Sequence, residues 1–404
     1  MSGVKPLPHD PRQNGAFPAS QLSRFWRDQV RVWWREIDRG LLGLVLCLMA
    51  LGTVAVAAAA PAAADQYGTS EFAFFKKHLA LQFIGLSAML AISFASRDQA
   101  RRLAIVVGLA MLFLLFVVPL FGAERNGARR WLELGLSLQP SEFLKPGFAV
   151  MLAWILSLRV RDPDLPVLTF VTAIMVLVAG LLMLQPNLGA TILFGGIWFV
   201  MVLLSGVAVQ RIGILFASGL ALITASYFLY DNARIRIDAF LGGGTAFDQV
   251  DLAQRTLLAG GWTGSGLWLG IRKMSLPEAH TDYIFSVIGE EFGLLSCALV
   301  ILLYLAIVVR GLLRLVDEDN LFVLLAGVGL IAQIGGQAFI NILVNLQLFP
   351  SKGMTLPLIS YGGSSTLAVC FTFGLLLAIT RRNPFLERET GGLKQLFQRK
   401  EDRL

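Results

Sequence analysis

Long, uninterrupted apolar runs dominate the pattern of hydrophobic and polar positions along the chain. Leu103–Phe121, Val167–Leu184 and Ile359–Thr380 contain no charged residue. Each run is about as long as a helix must be to cross the hydrocarbon core of a bilayer, at about 1.5 Å of rise per residue. The core of a soluble domain needs no apolar run of this length, so the pattern predicts a polytopic membrane protein.

The same pattern predicts an all-α fold with about ten transmembrane helices. The candidate spans lie near residues 41–63, 79–96, 103–121, 142–158, 167–184, 188–206, 212–230, 283–309, 321–345 and 359–380. The longest loop, residues 231–282, separates the seventh span from the eighth. A loop of that length without structure is unusual, so we expect short or re-entrant helices in it, at Ile237–Leu241 and Val250–Ala259.

The positions of the basic residues set the orientation in the membrane. An even number of spans puts both termini on one side, and most of the 34 Lys and Arg residues then fall in the tails and loops of that side. Because cytoplasmic segments are enriched in Lys and Arg, we expect cytoplasmic tails at 1–40 and 381–404 around a transmembrane domain at 41–380. Three loops then lie on the outer face: 122–141, 231–282 and 346–358.

An amphipathic segment precedes the first span. Its apolar residues share one helical face: Leu22, Trp26, Val30, Trp33 and Ile37. Arginines alternate with them, a combination typical of helices that lie in the membrane interface. The N-terminal tail is therefore expected to contain an interfacial helix on the cytoplasmic leaflet.

Composition and motifs exclude several classes of function. Only 15% of the residues are charged, against about 25% in soluble domains. The chain has neither a phosphate-binding glycine loop that opens a helix with Lys-Ser nor a dinucleotide-binding fingerprint. Its three cysteines lie in predicted spans and its three histidines are dispersed, so the sequence shows no zinc site. We expect no nucleotide cofactor and no nucleic-acid partner.

The first block of candidate chemistry, Leu276–Phe285, lies where the long loop enters the eighth span. Asp282 in this block is expected to be partly desolvated, which favours a carboxylate as a general base. Thr281 or Asp282 could equally serve as the N-cap of the following helix. Glu290 and Glu291 lie deeper in the span, where acids must be paired or functional, and pairing is the slightly favoured interpretation.

The second block comprises Arg129-Arg130-Trp131 and the segment Gln139–Lys145. Glu142 and Lys145 are three residues apart, so they share a helix face and can form an ion pair. Tryptophan and arginine are also common as membrane-interface anchors. In the functional interpretation, Arg130 and Lys145 contact phosphates while Trp131 stacks on a sugar or a lipid.

The third block, Phe349–Ser365, contains two prolines and three glycines before the last span. Such a backbone must be irregular, which membranes tolerate only where it lines a cavity or is buried in protein. Gly362 and Gly363 favour close helix packing, but packing does not explain Lys352.

Together, these three blocks resemble the SEDS family (shape, elongation, division and sporulation), over nearly all of residues 40–385. The stretch Pro350-Ser351-Lys352-Gly353 is similar to division-type members, because elongation-type members usually lack that lysine. Three positions depart from the family pattern: Asn187 replaces an aspartate, Arg255 a serine, and the Gly264-Ser265-Gly266 turn lacks a lysine, whose charge Arg272 and Lys273 can supply.

The resemblance implies a peptidoglycan glycosyltransferase that polymerises lipid II at the outer face of the bacterial inner membrane during septal wall synthesis. Undecaprenyl pyrophosphate is then the leaving group and Asp282 the catalytic carboxylate, acting as general base. The candidate substrate-binding residues are Arg130, Trp131, Glu142, Lys145, His280 and Lys352. A divalent cation such as Mg²⁺ can help to offset the charge of the pyrophosphate.

The resemblance also implies partners at the septum: a class B penicillin-binding protein, which is the septal transpeptidase, and other division membrane proteins. Two other functions stay open. A lipid II flippase would also need a basic cavity and intramembrane carboxylates, and a non-catalytic division scaffold would need Asp282 only as a cap. Within the family, an elongation-type polymerase is the alternative.

Overall fold

The computed structural model describes residues 19–206 and 247–382, apart from 69, 71, 126–127, 134–136 and 352, together with isolated positions between 213 and 238. The chain divides into two units. The larger one is Asp38–Thr380, and the smaller one combines the segments before and after it.

Helices make up most of the described structure. The smaller unit contains α1 (Ala19–Glu36). The larger unit contains α2 (Arg39–Tyr67), α3 (Ala73–Ser93), α4 (Arg97–Phe121), α5 (Pro140–Ser157), α6 (Val167–Met183), α7 (Leu188–Leu204), α8 (Phe247–Ala259), α9 (Ile284–Leu313), α10 (Leu321–Asn345) and α11 (Gly363–Ile379). Short 3-10 turns follow α5 at Leu158–Val160 and precede α9 at Arg272–Ser275.

The predicted spans agree with these helices wherever the structure describes them. Nine of the ten coincide with α2–α7 and α9–α11. The remaining one, 212–230, and the helix expected at Ile237–Leu241 lie outside the described residues, so the count of ten stays a prediction. Within the described part of the chain, five helices are long and apolar enough to cross a membrane: α2, α4, α5 with its 3-10 extension, α9 and α10.

The loop between α4 and α5 forms a small antiparallel sheet, which the expectation of an all-α fold misses. Its strands are β1 (Ala123–Arg125), β2 (Ala128–Glu133) and β3 (Ser137–Leu138), with β2 in the middle. Leu132 pairs with Leu138 across the sheet. Strands this short carry too little alternation to be recognised in a sequence. The sheet matters for the site because it fixes the direction of Arg130 and Trp131.

Among the five long apolar helices of the described residues, α5 and α10 are the most buried, and they pack against each other. Helices α4 and α9 expose far more of their apolar surface. A helix that is apolar all round and buried belongs to the centre of a membrane bundle. Polar side chains on α5 and α10 can therefore be held away from lipid.

In the smaller unit, Glu36 contacts Arg381 and Arg382. The guanidinium Nε of Arg381 lies 3.0 Å from the carboxylate of Glu36, which is the last residue of α1. The backbone N–H of Arg382 also donates to the carbonyl of Glu36 at 3.3 Å. Helix α1 covers the segment predicted to be amphipathic, and its place on the cytoplasmic leaflet stays a prediction.

Candidate active site

Asp282 lies one residue before the N-cap of α9 and is half-buried. The N-cap position itself is occupied by Tyr283, which makes no capping hydrogen bond through its side chain. The hydroxyl of Thr281 donates instead to the carboxylate of Glu278, at 2.8 Å. The sequence suggested Thr281 or Asp282 as the N-cap, and neither residue occupies that position.

Arg130 approaches the same place from the sheet. Its Nε donates to the carbonyl of Gln185 at 3.1 Å, and its Nη2 donates to the carbonyl of Pro186, both just after α6. A Cβ placed on Gly353 would lie 3.9 Å from Nη1 of Arg130 and 3.4 Å from Oδ2 of Asp282. The guanidinium and the carboxylate therefore both approach the position of this Cβ, where glycine at 353 places no side chain.

Trp131 follows Arg130 in β2 and pairs with Ala123 across the sheet. Side chains of consecutive strand residues leave opposite faces, so Trp131 does not share the face from which Arg130 extends toward Gly353. Its side chain is partly exposed. Its stacking on a sugar or lipid stays a prediction.

Glu142 and Lys145 form the ion pair expected from their spacing, with Lys145 Nζ 2.7 Å from Glu142 Oε1. Lys145 is only 1% exposed and also donates to Gln337 Oε1 at 2.7 Å. A buried ammonium must be paired and hydrogen-bonded to be tolerated. The second carboxylate oxygen of Glu142 is buried without a partner among the described residues, so this carboxylate can accept one more hydrogen bond.

A row of amide side chains on α10 ties the site together, and the sequence interpretation missed it. Its members are Gln333, Gln337, Asn341 and Asn345, all buried and each four residues after the last. The members of this amide row lie on one side of the helix, because residues four apart in a helix lie one above the other. The spacing of four amides in an apolar span is the signal that could have revealed it.

Three members of the amide row reach the turn at Asp282 and the segment at Met354 and Thr355. Gln337 donates to the carbonyl of Thr355 at 3.0 Å. Asn341 donates to the carbonyls of Asp282 and Met354 at 2.8 and 2.6 Å, and Asn345 donates to the carbonyl of Asp282 at 3.2 Å. Backbone carbonyls of two different segments are thus held by one helix.

The third block contacts the other two directly. The hydroxyl of Ser360 donates to the carbonyl of Thr281 at 2.5 Å, which joins the third block to the first. The hydroxyl of Ser364 donates to the carbonyl of Ser137 at 2.6 Å and accepts from the N–H of Gln139 at 3.0 Å, which joins it to the second. The three blocks recognised in the sequence therefore meet, but Lys352 lies outside the described residues.

His280 lies beneath this turn, in an aromatic cluster. Its ring centroid is 4.9 Å from that of Phe74 and 5.6 Å from those of Tyr67 and Tyr361. Burial lowers the pKa of His280 below its ordinary value, and the negative charge of Glu278 opposes that effect. The ring is therefore neutral at pH 7, and a contact between His280 and substrate stays a prediction.

The deeper acids are paired, as the favoured interpretation expects. Glu291 forms a buried ion pair with Lys273, and Glu290 accepts hydrogen bonds from the backbone N–H groups of Arg272 and Lys273. Asn187, which stands in place of a family aspartate, accepts from the N–H of Ala190 at 3.3 Å and caps α7.

A resident metal site is not formed by the described residues alone. They contain no group of three or more His, Cys, Asp or Glu side chains that could hold an ion. Mg²⁺ in other proteins is often bound by one or two carboxylates together with substrate phosphates. The residues around Asp282 therefore do not by themselves fit a metal centre, and no chemical step is derived through one.

Comparison with known proteins decides the family. The model of a family described as "Cell cycle protein", with FtsW, RodA and SpoVE as its members, matches residues 39–384. The chain belongs to this family. The resemblance to SEDS proteins is thereby confirmed.

Individual relatives match almost the whole chain. A probable peptidoglycan glycosyltransferase FtsW from Caulobacter vibrioides is 36% identical over 370 residues, which are 90% of this chain and 94% of that protein. The corresponding protein of Legionella pneumophila is 33% identical over 86% of this chain and 91% of its own length.

Solved structures of the family have the same fold. A chain from a peptidoglycan synthase complex is 32% identical, with a TM-score of 0.71 over 85% of this chain and 97% of that one. The rod shape determining protein RodA of Thermus thermophilus is 29% identical, with a TM-score of 0.63 over 86% of this chain and 97% of its own.

Proposed function

We propose that this protein is a peptidoglycan glycosyltransferase of the FtsW type that polymerises lipid II at the outer face of the inner membrane. The observation that carries the proposal is that Oδ2 of Asp282 and Nη1 of Arg130 both lie within 4 Å of the position that a Cβ on residue 353 would occupy. A carboxylate and a guanidinium that approach one position can serve an acceptor hydroxyl and a leaving pyrophosphate at the same time. Relatives named peptidoglycan glycosyltransferase FtsW support it.

In the proposed reaction, Asp282 takes the proton of the acceptor 4-hydroxyl. The hydroxyl oxygen forms a bond to the anomeric carbon of the donor, whose bond to the pyrophosphate oxygen breaks. The electron pair of that bond leaves with undecaprenyl pyrophosphate, and Arg130 offsets the charge that develops there. A single displacement inverts an α-linked donor to a β-1,4 product. The sugar–pyrophosphate bond supplies the driving force, so the step needs no nucleotide.

The other candidate residues support this centre. Lys145 and Glu142 hold the segment that contains Met354 and Thr355 through Gln337. Lys352 belongs to the same segment and is proposed to bind the pyrophosphate with Arg130. Trp131 and His280 complete the set, the first at the sheet and the second beneath the Asp282 turn.

The proposed setting is the bacterial inner membrane, crossed several times, with both termini in the cytoplasm and the active form at the division septum. The excess of basic residues in the tails and the contact between Glu36 and Arg381 support termini on one side. The proposed partners are a class B penicillin-binding protein and other division membrane proteins. A structural neighbour from a complex that coordinates polymerisation and crosslinking supports the first of these.

A flippase is the second candidate, because buried charges such as Lys145 and Glu142 are also found in transporters. Transporters usually bind substrate near the bilayer midplane, whereas Asp282 and Glu142 lie at the beginnings of α9 and α5. The deciding experiment uses purified protein, alone and with its penicillin-binding protein, in two assays. Glycan strands formed from lipid II in detergent, where no membrane separates two sides, support the glycosyltransferase. Lipid II movement across the membrane of vesicles without strand formation supports the flippase. Absence of both activities supports the scaffold.

A further inference from the structure

The segment between α8 and α9, residues 260–275, contacts membrane helices well below their outer ends. We call it the α8–α9 loop. The indole Nε1 of Trp268 donates to the carbonyl of Ala57 at 3.0 Å. Lys273 Nζ donates to the neighbouring carbonyl of Ala58 at 2.8 Å. Ala57 lies nearly three turns before the end of α2 at Tyr67, which is about 15 Å along the helix axis.

The sequence of α2 makes the first of these acceptors available. Pro61 lies inside the helix and has no amide hydrogen. The carbonyl of Ala57, four residues earlier, therefore lacks the hydrogen bond that a helix would normally provide. The indole of Trp268 supplies that bond, so a defect in a membrane helix and a donor in the loop complement each other.

Helix α9 opens toward the same loop. Gly293 has φ 81° and ψ 173°, which breaks the helix about 13 Å from its start at Ile284. Around this break, loop and helix exchange four backbone hydrogen bonds, two in each direction. They run from Ser265 N to Glu290 O at 2.8 Å, from Gly266 N to Glu291 O at 3.0 Å, from Leu294 N to Gly261 O at 2.9 Å and from Leu295 N to Trp262 O at 3.3 Å.

Two carboxylates of α9 satisfy further donors of the loop. Glu290 accepts from the N–H groups of Arg272 and Lys273 at 2.7 and 2.9 Å. Glu291 accepts from the N–H of Trp268 and pairs with the ammonium of Lys273. A loop in water needs no such provision, because water would satisfy these groups. A loop at membrane depth does need it, since an unsatisfied backbone group in hydrocarbon is very costly.

The large side chains that the loop exposes are apolar, apart from that of Arg272. The apolar ones are Trp262, Leu267, Trp268, Leu269 and Ile271, exposed by 72, 44, 51, 69 and 81%. Leu295, next to the break in α9, is also exposed, so the apolar surface of the loop continues that of the helix. Arg272 is exposed beside Ile271, and a long basic side chain at that place can reach lipid headgroups.

We propose that the α8–α9 loop is re-entrant and immersed in the outer leaflet, with Trp262, Leu269 and Ile271 in contact with lipid acyl chains. The contacts of the loop with α2 and with α9 independently place it well inside the ends of these helices. This depth favours lipid, rather than water or a periplasmic domain, as what covers the exposed face of the loop. The proposal does not depend on the chemistry at Asp282, and its test has no catalytic readout.

The test places a nitroxide on Ile271→Cys in the full chain, in a background with Cys47, Cys297 and Cys370 changed to alanine. The protein is reconstituted into vesicles of phosphatidylethanolamine and phosphatidylglycerol, and the collision rates of the nitroxide with oxygen and with a water-soluble nickel chelate are measured. Glu124→Cys, on exposed β1, is the control. We expect oxygen to dominate at 271 and nickel to dominate at 124. Nickel access at 271 equal to that at 124 would overturn the proposal, and so would protection from both reagents, which would indicate a protein partner.

A second measurement covers the case in which the cysteine variant does not fold. Tryptophan fluorescence of the wild type and of Trp262→Phe is compared in vesicles that contain lipid brominated on the acyl chain. We expect the wild type to lose a larger share of its fluorescence than the variant. Equal fractional quenching, combined with quenching of Trp262 by aqueous iodide, would contradict lipid contact.

Discussion

The side-chain amide of Asn341 donates to the carbonyl of Asp282 at 2.8 Å and to the carbonyl of Met354 at 2.6 Å. One nitrogen on α10 thereby joins the turn that carries the proposed base to the segment that carries Gly353. Other contacts, such as the bond from Ser360 to the carbonyl of Thr281, also hold these two parts together, but Asn341 bonds to both of them through one side chain. Asn341 is 2% exposed, so water cannot easily replace it.

Asn341→Leu is expected to lower turnover of lipid II much more than it lowers substrate binding. The leucine fills a similar space but removes this donor from both carbonyls. The carbonyl of Asp282 keeps its bond from Asn345, whereas the loss at the carbonyl of Met354 costs about 1–3 kcal/mol. A displacement of about 1 Å at a catalytic group can reduce the rate about 100-fold. The measurement is kcat and KM in a lipid II polymerisation assay.

Gln333→Leu is the matched control, since Gln333 belongs to the same amide row and is equally buried, but donates to Thr372 on α11 instead. It should lose stability without a selective loss of kcat. Equal kinetic effects of the two variants would show that Asn341 acts only through the packing of α10.

Gly353→Val is expected to abolish polymerisation while the protein still folds. Its methyl groups would extend from a Cβ that already contacts Asp282 and Arg130, and the φ of 61° at residue 353 disfavours any β-branched residue. Gly363→Ala, where a Cβ meets nothing within 4 Å, should leave activity close to that of the wild type. Activity and melting temperature are compared for both, and an active Gly353→Val would show that substrate does not bind between Asp282 and Arg130 beside Gly353.

Glu291→Gln is expected to destabilise the protein by about 3–5 kcal/mol, because it leaves the ammonium of Lys273 buried without its counter-charge. The glutamine retains an acceptor for the N–H of Trp268, so the effect reports mainly on charge. Adding Lys273→Met should recover much of the loss. Asp251→Asn, which removes an exposed pair with Arg255, should cost less than about 1 kcal/mol. Thermal unfolding in detergent distinguishes these outcomes. A Glu291→Gln variant as stable as the wild type would mean that the ion pair does not anchor the loop.

His280 is expected to make stability sensitive to acid. Its pKa is lowered in the folded protein, so the unfolded chain binds more protons near and below the ordinary value of 6.5. Stability therefore falls as pH drops from 7 through 6.5 toward the lowered pKa. His280→Phe, which fits an aromatic cluster, should reduce that fall. Melting temperatures of both proteins at pH 7.5 and pH 5 test this, and parallel slopes would assign the acid sensitivity to other groups.

The membrane helices could be predicted because each is a long apolar run, and the Glu142–Lys145 pair because its members are three residues apart. The second partner of Lys145 could not be found in this way. Gln337 is 192 residues away along the chain, and no local pattern reports a contact over that separation. The amide row itself was visible as a four-residue spacing, but its targets were not.

The α8–α9 loop shows the same limit. A loop rich in glycine and tryptophan indicates irregular backbone, and Val250–Ala259 was expected to be helical, as α8 confirms. The contact of Trp268 with Ala57 spans 211 residues, so the direction of the loop toward the membrane depends on tertiary packing. The strands β1–β3 are too short for periodicity to reveal them.

Asp282→Asn is the most direct test of the proposed base, measured as lipid II polymerisation in detergent with Mg²⁺, with and without the cognate class B penicillin-binding protein. The change preserves the size of the side chain and removes its ability to take a proton. Asp251→Asn, the same change in an outer carboxylate of α8, is the control and should polymerise normally. The account predicts that Asp282→Asn folds, binds its partner and forms no glycan strands. Strand formation by Asp282→Asn at the rate of the control would contradict it.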